Sequence, residues 1–249
     1  YIFDEVNSDP KLGSASRVWL NYSLEYLKKQ LNGNLIILKG NPKECFDELI
    51  DFFDIQEISW NRCYEPWIIK RDKSLKIHLN EKIKVNSFNG SLLWEPWEIL
   101  KNDGTPYKVF TPFYKRGCLL GSNPRVPKSE KINFYNHNFR VTNVSDLGLL
   151  ENKQWENKVL SQWKVGEESS IEIMKSFFQS GVQNYSEGRN FPNKKNVSRL
   201  SPYLHWGQIS PNSVWYEVNS LKNLKHDDLE VFKSELGWRE FAYYLLYHF

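Results

Sequence analysis

The hydrophobic pattern of this chain changes period once, and that change limits the folds open to it. Before residue 120 short apolar runs alternate with helical stripes, and after residue 150 every periodic stretch has helical spacing. Leu35–Leu38 (LIIL) reads as a fully apolar strand, the kind a parallel sheet buries on both faces. Glu57–Trp60 and Ile83–Phe88 read as further strands, and Tyr1–Asp4 as the tail of a buried one. Between them Leu20, Leu24, Leu27 and Leu31 recur at helical spacing, with Ser14 or Ser16 as cap. Glu44–Phe53 reads as a second helix, and Pro66 opens a third. This rhythm predicts an α/β fold built on a doubly wound parallel sheet. A domain rarely begins in mid-strand, so we expect a chain cut at its N-terminus, with its first strand missing.

Gly121–Leu150 carries no periodicity and is rich in Asn, Ser, Lys and Pro. A stretch that long in a compact chain usually joins domains. We place an α/β domain at 1–120, an interdomain linker at 121–150 and an all-α domain at 151–249. Helical patterns resume at Asn152–Trp163 and again after Gly166, where Ile171, Met174, Phe178, Val182 and Tyr185 form one apolar stripe.

With 249 residues the chain can bury a real core, and most of its 10 Trp, 13 Tyr and 15 Phe must lie in it. A net charge of +3 permits a polyanionic partner without demanding one. Locally the balance is sharper, because Arg189, Lys194, Lys195 and Arg199 are offset only by Glu187. The three cysteines lack metal-like spacing, which argues against a disulfide framework or zinc site and fits a reducing compartment. Neither a signal peptide nor an apolar run of transmembrane length is visible, so we expect a soluble, cytoplasmic monomer with no membrane partner. No G-x-G-x-x-G follows a strand and no P-loop occurs, which removes the site of a dinucleotide dehydrogenase or an NTPase. Open α/β sheets bind ligands beyond the carboxyl ends of their strands, where Asn61, Arg62, Tyr64 and Glu65 fall.

The densest chemistry lies in Asn196–Trp215 and in the last helix. Ser201-Pro202 and Ser210-Pro211 each read as an N-cap serine with proline at the first helical position. Gly207 reads as the left-handed residue that ends the first of these helices. Ser198, Arg199 and Ser201 set two hydroxyls and a guanidinium beside a helix N-terminus, an arrangement suited to phosphate or pyrophosphate. In the last helix Asp227 reads as the cap and Phe241–Phe249 as buried on all sides. Glu235, Trp238, Arg239 and Ala242 share one face at i, i+3, i+4 and i+7. A surface Glu–Arg pair would fit that spacing too, but the tryptophan and alanine favour a pocket wall for a flat polar ring system. His205, beside Trp206, reads as a packed histidine rather than a base, and His248 receives no role.

VSRLSPYLHWGQISPNSVW (Val197–Trp215) followed by ELGWREFAYYLLYHF (Glu235–Phe249) resembles the flavin-binding signature of the DNA photolyase/cryptochrome family. Tyr185, Arg189 and Phe191-Pro192 match the lead-in of that motif. WNRCYEP (Trp60–Pro66) and YKVFTPFYK (Tyr107–Lys115) resemble the family's antenna domain, so the likeness runs in order along nearly the whole chain.

The resemblance implies a Rossmann-like antenna-type domain followed by the start of a helical FAD-binding domain. It implies light-driven repair of cyclobutane pyrimidine dimers in damaged DNA by electron transfer from reduced FAD. Carried onto this sequence, it makes Tyr185, Val197, Ser198, Arg199, Leu200, Ser201, Phe232, Glu235 and Arg239 cofactor contacts. Arg189, Glu235, Trp238 and Arg239 become DNA contacts, with Glu235 and Trp238 meeting the flipped dimer in the catalytic role and no metal. An antenna chromophore, commonly a folate or a deazaflavin, can sit in the first domain of the family. Trp67 and Ile68 stand where some members carry an Asn-Glu pair, and the antenna's identity stays open. Family members continue beyond a helix like the last one here, so the resemblance implies truncation at the C-terminus as well. Three alternatives remain: a cryptochrome that binds FAD without repair, repair of six-four photoproducts, and a non-photochemical flavin- or nucleotide-binding protein.

Overall fold

The computed structural model describes residues 1–4, 11–135, 137–151, 153–222 and 224–249. They form two compact units: Tyr1–Ser59 with Arg71–Asn86 and Glu130–Ser169, and Trp60–Lys70 with Ser87–Ser129 and Ser170–Phe249.

The first unit is α/β. Strand β1 (Ile2–Phe3) is joined through α1 (Ser14–Gln30) to β2 (Leu38–Lys39), and the two strands pair in parallel with Ile2 opposite Leu38. Neither Ser14 nor Ser16 caps α1: both lie inside it, and Gly13 precedes it without a side-chain bond. α2 (Pro42–Phe52) follows the capping rules more closely, its Asn41 side chain accepting from Lys43 N–H at 2.9 Å with proline at the first helical position. Of the apolar run Leu35–Leu38 only Leu38 lies in the paired strand, and the Ile37 carbonyl accepts from Thr142 N–H at 2.8 Å. Ile37 and Leu38 are nevertheless each 1% exposed, as a fully apolar run requires.

A second strand pair is made by β3 (Glu57–Asn61) and β4 (Lys84–Phe88), with α3 (Pro66–Asn80) between them in sequence. Pro66 opens α3, as the sequence predicts. Leu38, Cys45 and Phe139 form a core cluster with Ile2, Ile36, Leu49 and Phe53 packed on it. Local contacts order part of the segment without periodicity. Asn143 and Asp146 form a reciprocal capping box on the 3₁₀ turn Val144–Leu147, which ends at Gly148 with φ +66°.

Beyond β4 the regular elements among the described residues are helical. α4 (Phe110–Pro112) runs on as the π-helical turn Phe113–Cys118, and α5 spans Gln154–Gln162. Asn152, expected to open that helix, lies outside the described residues. α6 (Glu167–Ser176) continues as the π-helical turn Phe177–Gly181. Then come α7 (Tyr185–Gly188), α8 (Ser201–His205), α9 (Pro211–Ser220) and α10 (His226–His248). Along the predicted stripe Met174, Phe178, Val182 and Tyr185 are buried, while Ile171 is exposed.

Two of the predicted boundaries shift. The Ser210 hydroxyl accepts from Asn212 N–H at 3.2 Å and caps α9 as expected. Ser201 does not cap α8; Leu200 already has helical dihedrals, so the helix is entered one residue early and Ser201 becomes its first residue. Asp227 lies in the first turn of α10, which starts after Lys225. Gly207, at φ +70°, ends α8 as predicted, with Gln208 N–H reaching the Tyr203 carbonyl at 2.9 Å. Phe241 and Tyr244 are buried, but Leu246, Tyr247 and Phe249 are exposed, so the end of α10 is apolar without being buried on all sides. Among the described residues no helix is long and apolar enough to cross a membrane.

Candidate functional site

The helical unit holds a cavity of about 420 Å³ whose walls come from three segments. One face of α10 supplies Phe232, Glu235, Leu236, Arg239 and Tyr243. Those positions repeat at the helical period, so a single stripe serves the cavity. The α8 region supplies Ser198, Leu200, Ser201, Leu204 and His205, and α7 supplies Tyr185. Ring packing sets the floor: Tyr185 and Phe232 meet edge to face at 5.4 Å, and Phe177 lies 5.1 Å from Phe232.

Asn196 ties the α8 approach to the turn before α7. Its Nδ2 donates to the Gly181 and Gln183 carbonyls at 2.8 and 2.7 Å. Three residues on, Arg199 takes a left-handed backbone conformation, φ +54°, costly for a residue with a Cβ. Glu235 forms an ion pair with Arg189 rather than with Arg239, and the Arg189 guanidinium also lies over the Tyr185 ring at 5.6 Å. Arg239 turns instead to Glu240 at 2.9 Å and sits over the Tyr243 ring at 5.1 Å. Glu240 itself is buried and accepts from Leu93 N–H at 2.8 Å. Burial outweighs these donors and pushes its pKa up to about 7.

The cavity brings together Tyr185, Ser198, Leu200, Ser201, Phe232, Glu235 and Arg239 of the expected cofactor contacts, while Val197 and Arg199 are exposed and do not line it. Trp238 lies off the lining stripe. Its ring stacks on Phe110 at 3.8 Å with planes 12° apart, and Phe110 stacks in turn on Tyr114. Trp238 is 49% exposed. Sequence reasoning missed Leu204, Leu236 and Tyr243 as wall residues, though the last two fall on the same α10 period as Phe232 and Arg239. His205, expected to be packed, is exposed at the cavity with its ring edge-on to Trp206 at 5.2 Å.

The DNA photolyase family model matches residues 1–130, just over half of the chain. The chain belongs to the DNA photolyase family. It is 34% identical to the deoxyribodipyrimidine photo-lyase of Agrobacterium fabrum, over 96% of this chain and 51% of that protein. It superposes on the class III photolyase of Agrobacterium tumefaciens with a TM-score of 0.92 at 33% identity, covering all of this chain and 53% of that one. Cryptochrome-2 of Arabidopsis thaliana is 28% identical over 95% of this chain and 42% of its own length. The chain thus spans about half the length of the curated relatives it matches.

Of the DNA photolyase motifs in the first half, the end of β3 is the most densely bonded. Arg62 pairs with Glu95 and donates to the Ser87 carbonyl at 2.6 Å, and the Tyr64 hydroxyl donates to Glu95 at 2.8 Å. Burial, more than the Tyr64 and Arg62 donors offset, raises the Glu95 pKa. Gly90 packs against the Asn61 side chain, where a Cβ would come within 2.2 Å. Arg62, Tyr64 and Asn61 therefore hold the 87–95 loop in place.

Proposed function

We propose that this chain supplies the antenna-type part (1–120), the linker (121–150) and the opening of the FAD-binding helical part (151–249) of a deoxyribodipyrimidine photo-lyase. The reaction is light-driven repair of cyclobutane pyrimidine dimers in DNA. The observation that carries this reading is the 420 Å³ cavity, within the range of ligand sites, with aromatic walls and a few convergent polar groups. The donor set fits FAD: the Ser198 and Ser201 hydroxyls suit a pyrophosphate, Arg239 a polar ring edge, and Tyr185, Leu200, Leu204 and Phe232 flat apolar surface. A reduced flavin supplies blue-light absorption and the electron that opens the dimer.

The protein's own residues position and exclude. Trp238, backed by Phe110 and half exposed, offers a stacking platform to a base taken out of the duplex. Glu235 is paired with Arg189. A phosphate that engages Arg189 releases the carboxylate to accept from a base edge. Arg189, Lys194, Lys195 and Arg199 supply the charge that binds the backbone. A folate or deazaflavin antenna in the α/β part belongs to the same proposal.

The test is binding and illumination of an oligonucleotide with one thymine dimer, using FAD-loaded protein. We expect light-dependent dimer loss, and W238A to weaken dimer binding roughly 10- to 100-fold. Equal affinity for damaged and undamaged DNA, with flavin retained, would instead favour the cryptochrome reading that the likeness to Cryptochrome-2 keeps in play.

A further inference from the structure

Asp228 has no part in the motifs above, yet it is 1% exposed and its carboxylate serves a segment 42 to 44 residues away. One oxygen accepts from Asn184 N–H at 2.8 Å; the other accepts from Ser186 N–H at 2.9 Å and the Ser186 hydroxyl at 2.7 Å. Asn184, in a left-handed conformation, is the residue from which α7 starts, and it makes no side-chain cap of its own. An aspartate in the first turn of α10 therefore caps a different helix. Burial alone would raise its pKa, but the Ser186 and Asn184 donors, with Lys225 nearby, more than reverse that and keep it ionised.

The capped helix is short and carries two residues of the site. Tyr185 lines the cavity and packs on Phe232, and Arg189 pairs with Glu235. Asp228, Phe232 and Glu235 lie at i, i+4 and i+7, so one stripe of α10 grips α7 at three successive points: an anchor, a ring contact and an ion pair.

We propose that Asp228 is a positioning residue for the cavity: by capping α7 from α10 it fixes where Tyr185 and Arg189 stand. The inference rests on the cavity's assignment above for its consequence, but not for its geometry.

The test compares D228A and D228N with V214A, a fully buried α9 position outside the cavity lining. Amide exchange at Tyr185 and Ser186 is measured by NMR on the 249-residue chain, and FAD affinity by titration. In D228A we expect exchange there to rise about 100-fold more than at α9 amides, and the FAD dissociation constant to rise about tenfold. D228N, which keeps one acceptor oxygen, should fall between wild type and D228A and also serves if D228A does not fold. V214A should lower the melting temperature without either local effect. D228A and V214A behaving alike in both readouts would overturn the proposal. Wild-type protein that binds no FAD, in this chain and in one of the relatives' full length, would overturn the cavity's assignment, and the exchange contrast would still decide whether Asp228 sets α7.

Discussion

Glu240 is 3% exposed, between the Leu93 amide and the Arg239 guanidinium, and its folded pKa of about 7 lies above the ordinary 4.5. The folded protein holds this proton more tightly than the unfolded chain, so the contribution is fully present below pH 4.5 and is lost as pH rises through about 7. We expect unfolding free energy to drop by up to about 3 kcal/mol across that window and E240Q to flatten the drop, as read by urea denaturation at pH 5 and pH 8. An unchanged slope in E240Q would mean that other groups govern it. At this scale the sequence announces residue types and hides partners. Glu235 and Arg239 share a helix face, but Glu235 finds Arg189, 46 residues away, and Arg239 takes its neighbour Glu240. Likewise, nothing local to Trp238 points to Phe110, because the contact exists only after two distant elements pack.

Helix ends were legible where a single residue decides them. Gly207 and Ser210 act as expected because a left-handed turn and a side-chain cap are local events. Ser201 was misplaced by one step, since Leu200 adopts helical dihedrals and takes the cap position. The two serines therefore part company: S210A should cost about 1 kcal/mol in stability, while S201A should leave stability near wild type and weaken FAD binding. Equal melting losses in both would contradict this. Gly237 inverts a familiar rule. Alanine in a helix interior ordinarily gains about 1 kcal/mol over glycine, but a Cβ here would come 2.6 Å from the Tyr114 ring. Tyr114 is buried and stacked on Phe110, with little room to withdraw. We expect G237A to destabilise by about 1–3 kcal/mol in thermal melts and to weaken dimer-DNA binding through the Trp238–Phe110 stack. A stabilised G237A would show that the ring moves freely.

At the scale of the whole molecule, the alternation of strands and helices was enough to read an α/β part followed by a helical one. The pairing of β1 with β2 follows from a fully apolar Leu35–Leu38 and a helix between. What could not be read is that Trp60–Lys70 and Ser87–Ser129 cluster with the helical residues. That allegiance rests on single long-range groups such as the Tyr244 hydroxyl, which accepts from Tyr107 N–H and donates to the Ile99 carbonyl, each at 2.8 Å. Hydrophobic periodicity has no access to such bonds.

The central claim is that the cavity between α7, α8 and α10 is a flavin site. We would test it first by adding FAD to the purified chain, removing the excess by gel filtration and recording the visible spectrum. We expect a retained flavin band with resolved vibronic structure, lost in Y185A and S198A and kept in V214A. A colourless protein, both from this chain and from a longer chain spanning the full length of its relatives, would contradict the claim.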